Sequence, residues 1–202
     1  MRKTEELRND LDIIHSVYFS AKFNDANLRY FFRSYRNYSS TYNTYNVLFD
    51  KLSYNTWIAL IIDLNILFNS KEDFSLQKLC NKLINNYKNS ELSKFYTFKE
   101  LQEITNLLNN ERISILFDRV NSIRDRYYAH KDRKAISLTE INITLSEVDE
   151  LLRIVECFIS SLELKVFSVS VSLFDYSKGE FGHSIFERLN DWDKYREKYG
   201  LI

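Results

Sequence analysis

A chain of 202 residues, 45% of them hydrophobic, suits one folded domain, or one domain with an appendage, and is long enough to fold without disulfides. Its 28 basic and 28 acidic residues cancel, so no overall charge attracts nucleic acid or a membrane, and a nucleic-acid site has to be a local patch. Proline is absent and glycine occurs three times, which leaves few tight turns and predicts an all-α fold of long helices.

The N-terminus, the longest apolar stretch and the cysteines all indicate a cytoplasmic protein. Residues 1–6 are charged with no apolar run behind them, so no signal peptide is expected. The most apolar stretch, 57–68, contains Asp63 and is too short to cross a membrane. Cys80 and Cys157 each lie alone in a helical pattern, which predicts two buried, reduced thiols.

The first half of the chain is predicted to be helical, with one segment that is harder to interpret. Residues 2–19 carry apolar side chains at helical spacing, and residues 54–69 are apolar on most sides, as in the central helix of a bundle. Between them, residues 20–50 are rich in Tyr and Phe; a helix is expected there, with a break at Ser39-Ser40-Thr41. Ser75 is predicted to cap a short helix.

Two further long helices follow, separated by a polar connection. Thr97 and Glu100 form a capping-box pattern, and apolar positions continue from there to Tyr127, with Asn109-Asn110 either interrupting the helix or carried through it. Residues 129–145 are polar and predict a loop. Ser146, with Asp149 three residues on, predicts the start of a helix that runs to about residue 165.

The tail has a different pattern, so we expect residues 1–165 to form a helical bundle and residues 166–202 a C-terminal extension packed on the same domain. Residues 166–173 alternate polar and apolar, which predicts a single strand or hairpin, although their spacing equally fits a continuing helix. Gly179 and Gly182 predict a break before a final helix over about 184–198.

Residues 119–134 are the chemically informative segment, with six Lys or Arg and two Asp at the end of a helix. The position of Arg124, directly after Ile123, places it at the edge of the packed face. His130 lies six residues on, about 120° round an ideal helix, so the two side chains converge only if the helix ends near Ala129. Elsewhere no metal-binding or nucleotide-binding motif occurs, and neither metal nor cofactor is expected; His15 is expected to be a packing or surface residue.

The sequence Arg124-Asp-Arg-Tyr-Tyr-Ala-His130 resembles the Arg-polar-(four to six residues)-His motif of HEPN domains, and in particular the AbiU2-like branch associated with abortive infection. Residues 54–86 resemble the helices before that motif and residues 146–164 the helix after it. The tail, 166–202, matches nothing in the family. The resemblance implies a HEPN-like helical bundle that forms a homodimer with the active cleft at its interface.

The resemblance also implies metal-independent cleavage of RNA, in phage defence or a toxin–antitoxin system. Arg124 would bind phosphate and His130 would transfer protons, as the chemistry of their side chains allows, while Asp125 would orient one of them. An RNA-contacting rim is expected from the neighbouring basic and aromatic residues Arg126, Tyr128, Lys131, Arg133 and Lys134. An antitoxin or another defence protein is the expected protein partner.

Two alternatives stay open on the sequence. The same basic segment could belong to a catalytically inactive HEPN-like module that binds RNA or a protein partner and, with RNA, positions phosphate without cleaving it. The chain could also be a purely protein-binding bundle that uses the aromatic region 30–45 as its contact surface.

Overall fold

The structure is a computed structural model that describes residues 2–37, 39–87, 93, 95–129, 143–167 and 180–199. Helices account for 89% of these residues, and no strand occurs among them, which confirms the all-α prediction. Eight α-helices are described: α1 (Arg2–Asn37), α2 (Ser39–Thr44), α3 (Asn46–Phe68), α4 (Leu76–Asn86), α5 (Phe98–Leu108), α6 (Glu111–Ala129), α7 (Leu145–Leu162) and α8 (Glu180–Lys198). A π-helical segment, Glu163–Phe167, follows α7 directly.

Helix caps were predicted correctly in two places and wrongly in a third. The Ser75 hydroxyl accepts from the backbone N–H of Lys78, and Thr97 forms the expected capping box with Glu100. α7, however, is capped by Thr144 and not by Ser146, because Thr144 has Glu147 three residues on and the two form a reciprocal capping box.

Several helix boundaries also differ from expectation. α1 continues unbroken to Asn37, so the aromatic residues after position 20 extend the first helix. Asn109-Asn110 does interrupt the helix, because α5 ends before these two residues and α6 begins after them. Gly182 lies inside α8, so the predicted break there is wrong: glycine weakens a helix by only about 1 kcal/mol. Residues 168–173 of the predicted strand lie outside the described residues, and 166–167 belong to the π-helical segment.

The chain divides into two compact units, the first made of Met1–Ala21 with Ile61–Leu173 and the second of Lys22–Leu60 with Phe174–Ile202. In the first unit, polar contacts join the described helices: Tyr18 on α1 donates to Glu156 on α7 at 3.0 Å, and Ser20 donates to Asp63 on α3 at 2.7 Å. Buried residues on four of those helices form part of its core: Leu11, Ile14, Leu64, Leu67, Leu116, Val120, Val148, Leu151 and Val155. The predicted boundary at 165/166 stays a prediction.

The second unit has an aromatic core. Phe31, Phe49 and Phe186 are buried together, and the rings of Phe49 and Phe186 stack with centroids 4.0 Å apart. Tyr45 packs against this cluster and donates its hydroxyl to Asp193 at 2.9 Å. The aromatic region 30–45 thus contributes residues to a core.

The two cysteines differ in environment. Cys80 is buried as predicted, and burial raises the pKa of its thiol to about 12. Cys157 is exposed, so the prediction that it is buried was wrong. The reason is helical phase: the buried residues Val155 and Ile159 lie on one face of α7, and Cys157 is about 160–200° round the helix from each.

Candidate functional site

The segment with the Arg/His motif lies at the C-terminal end of α6. The helix begins after Asn110, whose side-chain oxygen accepts from the backbone N–H of Arg112 at 2.8 Å. A buried stripe then runs along α6 at helical spacing: Ile113, Leu116, Val120 and Ile123. Arg124 follows the last member of that stripe, so the chain brings a cation to the edge of the packed face.

Arg124 is fixed on two sides by polar side chains. Its Nη1 donates to Oδ1 of Asn65 at 2.6 Å, while Nε and Nη2 donate to Oδ1 of Asp125 at 3.0 and 2.6 Å. The Arg124 side chain is 24% exposed and that of Asp125 is 58% exposed. The expectation that Arg124 lies at the edge of the packed face is confirmed.

Asn65 is the residue of this site that sequence reasoning missed. It is 2% exposed on α3, within the mainly apolar stretch 57–68, and a buried amide there requires hydrogen-bond partners. Its Nδ2 donates to Oδ1 of Asn121 on α6 at 3.2 Å, and its Oδ1 also receives a longer contact of 3.4 Å from Asn69. Asn65 therefore links α3 to α6 and fixes the guanidinium of Arg124. A polar residue within an apolar run was the available signal.

The described residues contain only part of the predicted site. Arg126 is exposed on the last turn of α6. The side chain of Tyr128 lies outside the described residues, as do His130, Lys131, Arg133 and Lys134 (all within 127–142). α6 is described through Ala129, and convergence of Arg124 and His130 requires it to end there. That convergence stays a prediction.

The geometry around Arg124 leaves hydrogen-bonding capacity toward solvent. A guanidinium has five N–H groups, and the three contacts above involve one each on Nε, Nη1 and Nη2. Two N–H groups remain without a partner among the described residues. They can bind an oxyanion from a fixed position, while the Asp125 carboxylate offsets part of the positive charge.

A second ionisable pair lies in the same unit, at the π-helical segment. Nδ1 of His15 is 3.3 Å from Oε1 of Glu163, and neither His15 Nε2 nor Glu163 Oε2 has a hydrogen-bond partner in the described part of the chain. Burial lowers the pKa of His15, although the Asp12 carboxylate opposes this shift. Burial and then Asp12 raise the pKa of Glu163, so both partners favour their neutral forms.

The first unit also has an open cleft of about 560 Å³ beside the start of α6 and α7. Arg112 on its wall donates to Glu147 and Glu150, so the guanidinium of Arg112 is already paired. Arg124 is not part of this cleft. The cleft is lined by apolar, polar and charged side chains: Leu107, Asn110, Arg112, Ile113, Ser146, Asp149, Glu150, Arg153 and Ile154.

Comparisons with known proteins add no family assignment: no protein-family model, curated protein or solved structure matches the chain. Over the described ranges, no three His, Cys, Asp or Glu side chains are grouped as a metal site would need. None of the helices in those ranges is both long and apolar enough to cross a membrane. The HEPN resemblance therefore rests on the motif Arg124–His130 and on the helices around it.

Proposed function

We propose that the protein is a metal-independent endoribonuclease of HEPN type, active in the cytoplasm in phage defence or in a toxin–antitoxin system. The observation that carries the proposal is the preorganised Arg124, fixed by Asn65 and Asp125, with two N–H groups left to bind phosphate. His130, the general acid–base candidate, lies six residues after Arg124 in the sequence. Fixed donors at a developing charge are the largest source of catalysis in many enzymes.

The reaction needs no external nucleophile, because RNA provides its own 2′-OH. The 2′-oxygen loses its proton and attacks the adjacent phosphorus, the bond from phosphorus to the 5′-oxygen breaks, and that oxygen takes up a proton. A histidine side chain such as that of His130 suits proton transfer at neutral pH. Arg124 stabilises the crowded phosphorane, and Asp125 keeps the guanidinium in place. The products are a 2′,3′-cyclic phosphate and a 5′-hydroxyl.

RNA binding is assigned to the surface around this motif. Arg126 is exposed one turn from the helix end, which supports a role in contacting phosphate. Lys131, Arg133 and Lys134 extend the basic rim along the sequence, and Tyr128 would stack on an unpaired base. A homodimer with the cleft at its interface, and an antitoxin or other defence protein as partner, belong to the same proposal.

The test is cleavage of a mixed RNA pool by the purified wild type and by Arg124→Ala and His130→Ala, with EDTA present throughout. We expect each variant to lose about 10²–10⁴ in rate. The matched control is Arg119→Ala, since Arg119 is another cation of α6 but binds Glu147 at 2.9 Å. Full activity in purified His130→Ala would remove that residue from the mechanism. Equal cleavage by all four proteins would indicate a contaminating nuclease.

A catalytically inactive RNA-binding module is the second candidate. The ion pair between Arg124 and Asp125 favours this second candidate, because the carboxylate weakens the positive charge that would stabilise the transition state of cleavage. This candidate predicts RNA affinity that falls steeply with salt while no cleavage product forms. Absence of binding even at low salt would exclude it.

A further inference from the structure

The exposed surface of α8 carries a row of aromatic side chains. Trp192, Tyr195 and Tyr199 are 52%, 49% and 56% exposed, although rings of this size usually gain most from burial. The rings of Trp192 and Tyr195 stack with centroids 5.7 Å apart and planes 9° apart, and Tyr195 and Tyr199 are 4.5 Å apart. Three ordered rings on one helical face resemble the centre of a protein interface more than a solvated surface.

Charged residues flank this row in a definite order. The backbone N–H of Tyr199 bonds to the carbonyl of Tyr195, so the helical turn continues through position 199. Taking Tyr195 as the centre of the face, Trp192 and Tyr199 lie about 40–60° to one side. Asp191 and Lys198 lie about 40–60° to the other side. Along the helix axis, Asp191 is about 6 Å from Tyr195 toward the N-terminus, and Lys198 is about 4.5 Å from it toward the C-terminus. One edge of the face is therefore aromatic, and the other has a carboxylate below and an ammonium above.

We propose that this face of α8 binds the same face of a second copy of the chain, with the two helices antiparallel about a two-fold axis at Tyr195. Such an axis brings each edge of the face against the same edge of the second copy. It also inverts the positions along the helix, so a residue before Tyr195 meets a residue after Tyr195 of the second copy. Trp192 then meets Tyr199 of the second copy, and Asp191 meets Lys198 of the second copy, and each contact occurs twice. An isologous interface requires a surface that is complementary to itself, and this face meets that requirement in both its rings and its charges.

The charges available to this contact support a second copy over RNA as the occupant. Arg188 lies about 20° from the centre of the face and Asp191 about 40° from it, so the face carries charges of both signs, which suits contact with its own copy better than contact with a uniformly negative phosphate backbone. The ammonium of Lys198 lies 5.4 Å from the centre of the Tyr199 ring, and Asp191 has an exposed contact of 3.8 Å with Lys194, so the pair across the axis replaces these two weak contacts. This surface is a second interface, separate from the cleft interface of the ribonuclease proposal, and it does not rest on that proposal because α8 contains none of the residues assigned to cleavage.

Sedimentation equilibrium of the full chain tests the interface over about 1 to 100 µM, the range suited to an interface of this modest size. We expect the wild type to dimerise within that range and Tyr195→Glu to weaken dimerisation at least tenfold, because two like charges would meet on the axis. Glu197→Gln, an exposed change on the opposite side of α8, is the control and should leave the dimer unchanged. A wild type that stays monomeric throughout, or a dimer that Tyr195→Glu does not weaken, would overturn the proposal.

Charge exchange tests the antiparallel arrangement. Asp191→Lys and Lys198→Asp should each weaken the dimer several-fold, and the double variant should restore it, because the ion pair reforms with its signs reversed. In a Cys157→Ser background, Tyr195→Cys should also give a covalent dimer with a short bismaleimide, whereas Glu197→Cys should not. A double variant weaker than both single variants, or efficient crosslinking only at position 197, would overturn the antiparallel pairing.

Discussion

Asn65 is expected to be the main structural support of Arg124, and its removal should be measurable as lost stability. Asn65→Ala deletes the acceptor of the Arg124 Nη1 bond at 2.6 Å and the donor of the Asn121 bond at 3.2 Å. A hydrogen bond to a charged group contributes about 1.5–3 kcal/mol and a neutral one about 1 kcal/mol. Because Arg124 is 24% exposed and can recover part of its bond with water, we expect a loss of about 2–3 kcal/mol.

Urea unfolding measures this loss, and a change in the m-value would show whether the variant alters the cooperativity of unfolding. For a chain of this size the expected loss corresponds to a fall in Tm of about 4–12 °C. Asn69→Ala is the matched control, since its contact to Asn65 is 3.4 Å long and should contribute below about 1 kcal/mol. A double-mutant cycle of Asn65→Ala with Arg124→Ala then isolates the pair, with an expected coupling of about 1–2 kcal/mol. Coupling indistinguishable from zero would refute the role given to Asn65.

Three other outcomes follow from the described contacts. Thr144→Ala should lower the free energy of unfolding by about 1 kcal/mol and Ser146→Ala should hardly change it, because Thr144 is the cap of α7. Equal losses of stability for the two variants in urea unfolding would contradict this. A thiol reagent should label Cys157 in the native protein and Cys80 only after unfolding, and rapid double labelling would show that Cys80 is accessible. Burial raises the pKa of Glu163 above 4.5, so its charge costs stability at neutral pH. Glu163→Gln should therefore stabilise the protein at pH 7, with a gain that fades as pH falls to 4.5; a gain that grows on acidification would reverse the assigned shift.

Local signals in the sequence were enough for the fold class and for the starts of α4 and α5. The absence of proline and the 3.6-residue periodicity predict long helices, and Ser75 and Thr97 satisfy backbone N–H groups as their patterns indicate. Thr144 was missed although it fits the capping box better than Ser146, because its position in a polar stretch obscured the pattern. Cys157 was assigned to the core by residue type, whereas its helical phase places it on the exposed side.

The candidate site was only half predictable, because its geometry depends on a contact across 59 positions of the chain. The motif itself identifies Arg124, and adjacency in sequence brings in Asp125. No periodicity indicates that Asn65 on α3 meets α6, since a polar residue in an apolar helix reveals a need for partners without naming them. The face of α8 is a similar case: the spacing of Trp192 and Tyr195 is visible in the sequence, but their exposure is not.

The ribonuclease proposal is tested most directly by the chemical ends that the wild-type protein leaves on a defined RNA. Two oligonucleotides that differ only by a 2′-deoxy sugar at the cleaved position would be incubated with the protein in EDTA. We predict that the all-ribose substrate is cut to a 2′,3′-cyclic phosphate and a 5′-hydroxyl, and that the deoxy substrate stays intact at that position. Cleavage of the deoxy substrate at the same rate, or products with 3′-hydroxyl and 5′-phosphate ends, would contradict the mechanism assigned to Arg124 and His130.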